Sequence, residues 1–182
     1  MNSSHRRRLP RLSAVRPIWW LTAGFMFAVA GLIWYSLASG EGVYASTGDS
    51  YPGALTAVTE PIGCFTAALA GAVTFGGLLY VAMTARPDAR TVIDERAFGT
   101  HVTVERAAAV WAFTAIVMIV VQAANDAGAP VTELIASPGL LEAVLVSEMA
   151  RAWVAAATMS VVVAVTVRLS VRWLTHVVLL VP

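Results

Sequence analysis

Four apolar runs, 18–38, 62–85, 107–124 and 152–167, divide the chain, and none contains Asp, Glu, Lys, Arg or His. With its flanks, each is long enough for a helix crossing a hydrocarbon core, which takes about 20 residues. The pattern predicts an all-α, polytopic transmembrane helix bundle. A further apolar stretch, 173–182, starts as the others do but is too short to cross. It reads as a truncated fifth span, making the chain the front part of a longer protein; a tail lying in the interface is the alternative.

Within the runs, small residues recur at helical spacing. Ala68, Ala72 and Gly76 follow one another every four residues in the second span, with Gly71 and Gly77 beside them, and Ala152, Ala156 and Ser160 repeat the spacing in the fourth. Such rows let helix backbones approach in lipid, where apolar burial no longer drives association. They predict that the second and fourth helices form the centre of the bundle. Between the spans, Ser39, Gly40 and Gly42 predict the end of the first helix, followed by a polar loop to Pro61. Asp88 is expected to cap a short amphipathic piece carrying Val92, Ile93, Ala97 and Phe98, with Gly99 and Thr100 breaking it before a third helix starts near His101. Ser137 and Pro138 read as the start of a surface helix, or of an early fourth span.

Charge orients this array. Arg6, Arg7, Arg8, Arg11 and Arg16 lie in the Arg-rich segment 1–17, Arg86, Arg90, Arg96 and Arg106 between the second and third spans, and Arg168 and Arg172 after the fourth; only Arg151 falls in the remaining loops. Positive residues stay inside, so the N-terminus is expected in the cytoplasm and the protein in the plasma membrane. Trp19, Trp20, Trp111 and Trp173 are then expected at inner headgroups, Trp34 and Trp153 at outer ones. The first run exceeds the core of a cleaved signal peptide. At 58% hydrophobic and 13% charged residues, the composition excludes a soluble globule. The Arg cluster needs no nucleic acid to explain it, since anionic lipid suffices.

Candidate chemistry is confined to the membrane edges. Gln122, Asn125 and Asp126 end the third span and Glu148 and Arg151 open the fourth. Together they make either a polar vestibule for a cation or a partner's loop, or an Asp126–Arg151 ion pair joining helix ends. Cys64, Met118 and Met149 are the soft ligands that could line a path for Cu(I); Met is also ordinary core filler. One cysteine permits no intramolecular disulfide. His101 and Glu105 read as a solvated pair at the inner surface. The uncharged spans argue against a proton-coupled transporter housed in these helices. No residue pattern calls for catalysis, and the chain is not expected to be an enzyme.

Four stretches, 51–55 (YPGAL), 70–77 (AGAVTFGG), 121–128 (VQAANDAG) and 147–153 (SEMARAW), carry a resemblance from about Tyr51 onward. There the chain resembles the front part of actinobacterial membrane proteins that fuse a copper resistance D (CopD) like half to a cytochrome c oxidase assembly (CtaG) like half. The resemblance implies copper movement across the plasma membrane and copper supply to cytochrome c oxidase or its assembly factors, shared with helices of a longer chain. On it, Gln122, Asn125, Asp126, Glu148, Met149 and Arg151 are the positions of interest. The alternative is a structural subunit without metal that packs against a partner through small-residue faces.

Overall fold

The computed structural model describes residues 17–85 and 92–180; the Arg cluster at 6–16, the Asp88 cap and Pro182 lie outside them. The order is α1 (Pro17–Thr47), α2 (Ala54–Thr84), α3 (Glu95–Asp126), α4 (Val131–Ala136), α5 (Leu140–Val146), α6 (Glu148–Leu169) and α7 (Trp173–Val178). Four of these, α1, α2, α3 and α6, are long and apolar enough to cross a membrane. The chain is therefore a multi-pass helical membrane protein. Among the described residues the one β-bridge joins Val92 to Arg172.

The helices overrun their apolar cores, and three expected boundaries are corrected. α1 continues through Gly40 and Gly42 to Thr47. It stops where Gly48 adopts φ 82° and the Asp49 N–H reaches back to the Tyr44 carbonyl at 3.1 Å, a Schellman closure. α2 begins at Ala54 and carries Pro61 inside it, so the polar loop shrinks to residues 48–53. Pro61 lies beyond the first turn of α2, so it leaves the Ala57 carbonyl without its usual intrahelical donor. α3 starts at Glu95, capped by Asp94, whose carboxylate accepts from the Ala97 N–H at 3.2 Å, and runs unbroken through Gly99 and Thr100. Leu140–Val146 is a separate surface helix, and α6 starts afresh at a new cap, Ser147.

The centre is α3, packed between α2 and α6, with α1 leaning chiefly on α2. In the most apolar stretch of α3, 56% of positions are buried, against 33% in α2, 22% in α6 and 6% in α1. This corrects the expectation that the second and fourth spans lie at the middle. The face of α2 that meets α3 is Gly63, Ala67, Ala70, Gly71, Thr74, Leu78 and Val81, while Ala68, Ala72 and Gly76 point away from the bundle. Two glycines make the approach possible: a Cβ on Gly63 would overlap the Met118 thioether, and one on Gly77 would overlap Val104. On α6 the packed residues are Ala150, Ala157, Ser160, Val163 and Val167; Ser160 is on the expected face, Ala156 at its margin and Ala152 exposed.

Trp111 also moves. It is buried against Ala67 and Ala70 and edge-on to Phe75 at 5.5 Å, well inside the bundle rather than at an inner headgroup, because α3 starts twelve residues before the apolar run and carries it inward. Hydroxyls in the spans bond their own helix, as Thr74 does to the Ala70 carbonyl at 2.8 Å and Thr158 to Val154 at 2.8 Å. That leaves few polar groups for contacts between helices, and those few gather at the two ends.

Candidate functional site

At the acidic end of the bundle, three helices each bring polar groups to one carboxylate. Glu60 lies in the second turn of α2, and α3 presents Gln122 and Asn125, three residues apart and on one face. The Gln122 amide donates to Glu60 Oε1 at 3.0 Å and the Asn125 amide to Oε2 at 3.2 Å. From α1, the Tyr44 hydroxyl donates to Asn125 Oδ1 at 2.7 Å and passes Glu60 Oε2 at 3.5 Å. Gln122 is 3% exposed, so its amide is committed to this carboxylate. Both oxygens of Glu60 are held by neutral donors, and among the described residues no Arg or His pairs with it.

Two cavities share Tyr44 beside this carboxylate. A polar one of about 450 Å³ is lined by Tyr44, Asp49, Ser50, Asn125, Asp126 and Gly128 and contains no basic side chain. An apolar groove of about 290 Å³ between α1 and α2 is lined by Tyr35, Ser36, Tyr44, Glu60, Pro61 and Cys64. Tyr44 lines both, whereas Glu60 lines only the groove; the polar cavity is a vestibule bearing two carboxylates, Asp49 and Asp126. Such a vestibule concentrates cations and repels anions. Its floor is held by Gly128, at φ 61°, where a Cβ would lie 2.6 Å from that of Ser50, which fastens the α1–α2 loop to the end of α3.

Of the residues anticipated here, Gln122 and Asn125 join the site directly. Asp126 lines the polar cavity, and its carboxylate accepts from the Ser147 hydroxyl. The anticipated Asp126–Arg151 pair is replaced by this bond, since Arg151 instead approaches Glu148 at 3.8 Å along α6. That pair is exposed and adds little. Ser147 also accepts from the Ala150 N–H at 2.9 Å as the cap of α6. Ser147→Ala therefore removes a cap and an interhelical bond together, and is expected to cost about 1–2 kcal/mol in detergent melts; an unchanged melt would show that neither contact matters.

The three sulfurs are not brought together. Cys64 is exposed to the α1–α2 groove, Met118 is buried beneath Gly63 at the α2–α3 contact, and Met149 lines a separate cavity of about 350 Å³ with Ala123, Asp126 and Val146. Cys64 and Gly63 are successive residues and so point about 100° apart on the helix, toward different neighbours. Tyr44 and Glu60 were missed in the sequence because both fell in the supposed loop. The spacing of Glu60 to Cys64, one helical turn, was the available signal that α2 starts early.

His101 is corrected as well. It is buried, 3% exposed, and its ring meets that of His176 on α7 rather than solvent. Glu105 turns to Arg168 at 3.7 Å.

Among curated proteins, 162 residues are 46% identical to the uncharacterized protein Mb0105 of Mycobacterium bovis and to the uncharacterized protein MT0111 of Mycobacterium tuberculosis, covering 89% of this chain and 24% of each relative. Over 175 residues it is 37% identical to the uncharacterized protein ML1998 of Mycobacterium leprae, covering 96% of this chain and 26% of that protein. No family model matches the chain, and no solved structure does. The chain thus spans about a quarter of the length of the curated relatives it matches.

Proposed function

We propose that this chain is the front membrane module of a longer plasma-membrane protein, with its N-terminus in the cytoplasm, that admits copper through the acidic vestibule and serves cytochrome c oxidase copper-centre assembly without catalysis of its own. The observation that carries the reading is convergence. Of the stretches on which the resemblance rests, Gln122 to Gly128 lines the cation-favouring cavity through Asn125, Asp126 and Gly128, and its Asp126 is bonded to Ser147, the first residue of the stretch Ser147 to Trp153. Glu60 is the oxygen ligand this reading places first, with Asp126 at the mouth and Cys64 one turn beyond as the soft ligand. Glu148, Met149 and Arg151 form the rim. The mycobacterial relatives, four times as long, leave room for the helices that would complete a path.

In cells that depend on the protein containing this chain, Glu60→Gln and Asp126→Ala are expected to change copper sensitivity and to lower cytochrome c oxidase activity at unchanged protein abundance. Both phenotypes staying at the wild-type level would sink the copper reading.

A second reading, a metal-free subunit packing against a partner, is favoured by one observation: Ala68, Ala72 and Gly76 form an uncovered row of small residues on α2. Under it, Gly76→Leu breaks assembly with the partner while the Glu60 variant is silent.

A further inference from the structure

At the opposite, basic end of the bundle, His101 of α3 and His176 of α7 are 3% and 0% exposed, with Nδ1 of the first 3.0 Å from Nε2 of the second. The other nitrogen of His176, Nδ1, lies 3.0 Å from the Arg172 carbonyl. A carbonyl only accepts, so His176 carries its proton on Nδ1 and turns the Nε2 lone pair toward His101. This is how proteins orient a metal-binding imidazole, with one nitrogen tied to a backbone oxygen and the other left bare. The Phe98 ring stacks on His101 at 5.9 Å, and α7 is fastened by the Trp173 indole N–H to the Ala82 carbonyl at 3.0 Å and by the Ile93 N–H to the Val171 carbonyl at 3.2 Å. These contacts orient both rings toward one another.

We infer that His101 and His176 form a two-nitrogen site for a soft monovalent ion, Cu(I) in the cell. In the hydrogen-bonded state a single proton on His101 Nδ1 lies between the rings. If that proton sits on Nε2 of the same ring instead, two lone pairs converge on one point, so the ion enters with no net proton released. Two metal–imidazole bonds of about 2.0 Å each need nitrogens about 4 Å apart, an opening of about 1 Å from the hydrogen-bonded separation. Among the described residues no group of three or more His, Cys, Asp and Glu side chains gathers here or elsewhere. The ligand count selects against Zn(II), which takes four ligands, and for an ion content with two in line. The inference does not depend on the acidic-end reading, because no residue is shared.

The test is competition of the full chain in detergent for Cu(I), with Ag(I) as a redox-inert substitute and Zn(II) as the control. One equivalent of Cu(I) or Ag(I) is expected to bind, and Zn(II) far more weakly. His101→Asn keeps an N–H where Nδ1 donates, so it should stay folded by gel filtration and melting yet bind at least about 100-fold more weakly. Met26→Leu, which removes an exposed thioether of α1 that belongs to neither site, should bind as wild type. The site is overturned if wild type binds neither ion, if His101→Asn binds unchanged, or if binding is lost with Met26→Leu instead; the pair would then be a clasp for α7.

Discussion

Gly77→Leu is expected to break up the folded bundle in detergent, at a cost of at least about 3 kcal/mol, whereas Gly76→Leu, one residue on the other side of the helix, should stay within about 0.5 kcal/mol of wild type. The first Cβ atom at Gly77 already overlaps Val104, and Val104 has nowhere to go: it is fully buried in a cluster with Leu78, Ala108, Val163 and Val167. Interiors this dense accommodate an added group only by moving backbone. Gly76 faces open space, with nothing within 4 Å. Thermal melts followed by gel filtration separate the two. Equal loss in both would mean that α2 packs through the row Ala68, Ala72 and Gly76, and that the assignment of α3 to the centre is wrong.

The second large effect concerns how the polar site is balanced. Gln122→Leu strips the donor from Glu60 Oε1 and should cost about 1–3 kcal/mol, since a half-buried acceptor loses its direct partner. Glu60→Leu should cost a similar amount by orphaning the Gln122 and Asn125 amides. The double variant is expected to be closer to wild type than the sum of the two, because with Glu60 gone the Gln122 amide has no bond left to lose, and the only added cost is the Asn125 amide that Glu60→Leu already deprives of its acceptor. Unfolding of all four proteins in mixed micelles reads the coupling directly. Strict additivity would mean that the Gln122–Glu60 bond does not hold the helices together.

The contrast between these two sites explains what could be read from the chain alone. Four apolar runs announce four spanning helices, because in lipid the backbone has no other way to satisfy its own hydrogen bonds. The ends are a different matter. Gly40, Gly42 and Pro61 carry the usual marks of helix boundaries, yet α1 and α2 pass through them, so Tyr44 and Glu60 enter helices whose sequence signal is a loop's. The choice between two faces of α2 was likewise undecidable from spacing: small residues occur on both, and Met118 and Val104, which make one face the buried one, belong to another helix. Gln122 and Asn125 were legible because a polar pair closing an apolar run has few bland explanations. The His101–His176 contact joins residues 75 positions apart and leaves no periodic trace.

The position of α3 also bears on how the protein is made. α1 and α2 leave the ribosome first, but they meet chiefly through the Phe25–Phe65 stack at 5.8 Å and the approach of Tyr44 to Glu60. The glycine face of α2 stays against lipid or an insertion chaperone until Met118 and Val104 are translated. The bundle therefore cannot close before the third span is made, and a nascent chain halted before it should be the form that quality-control proteases remove first.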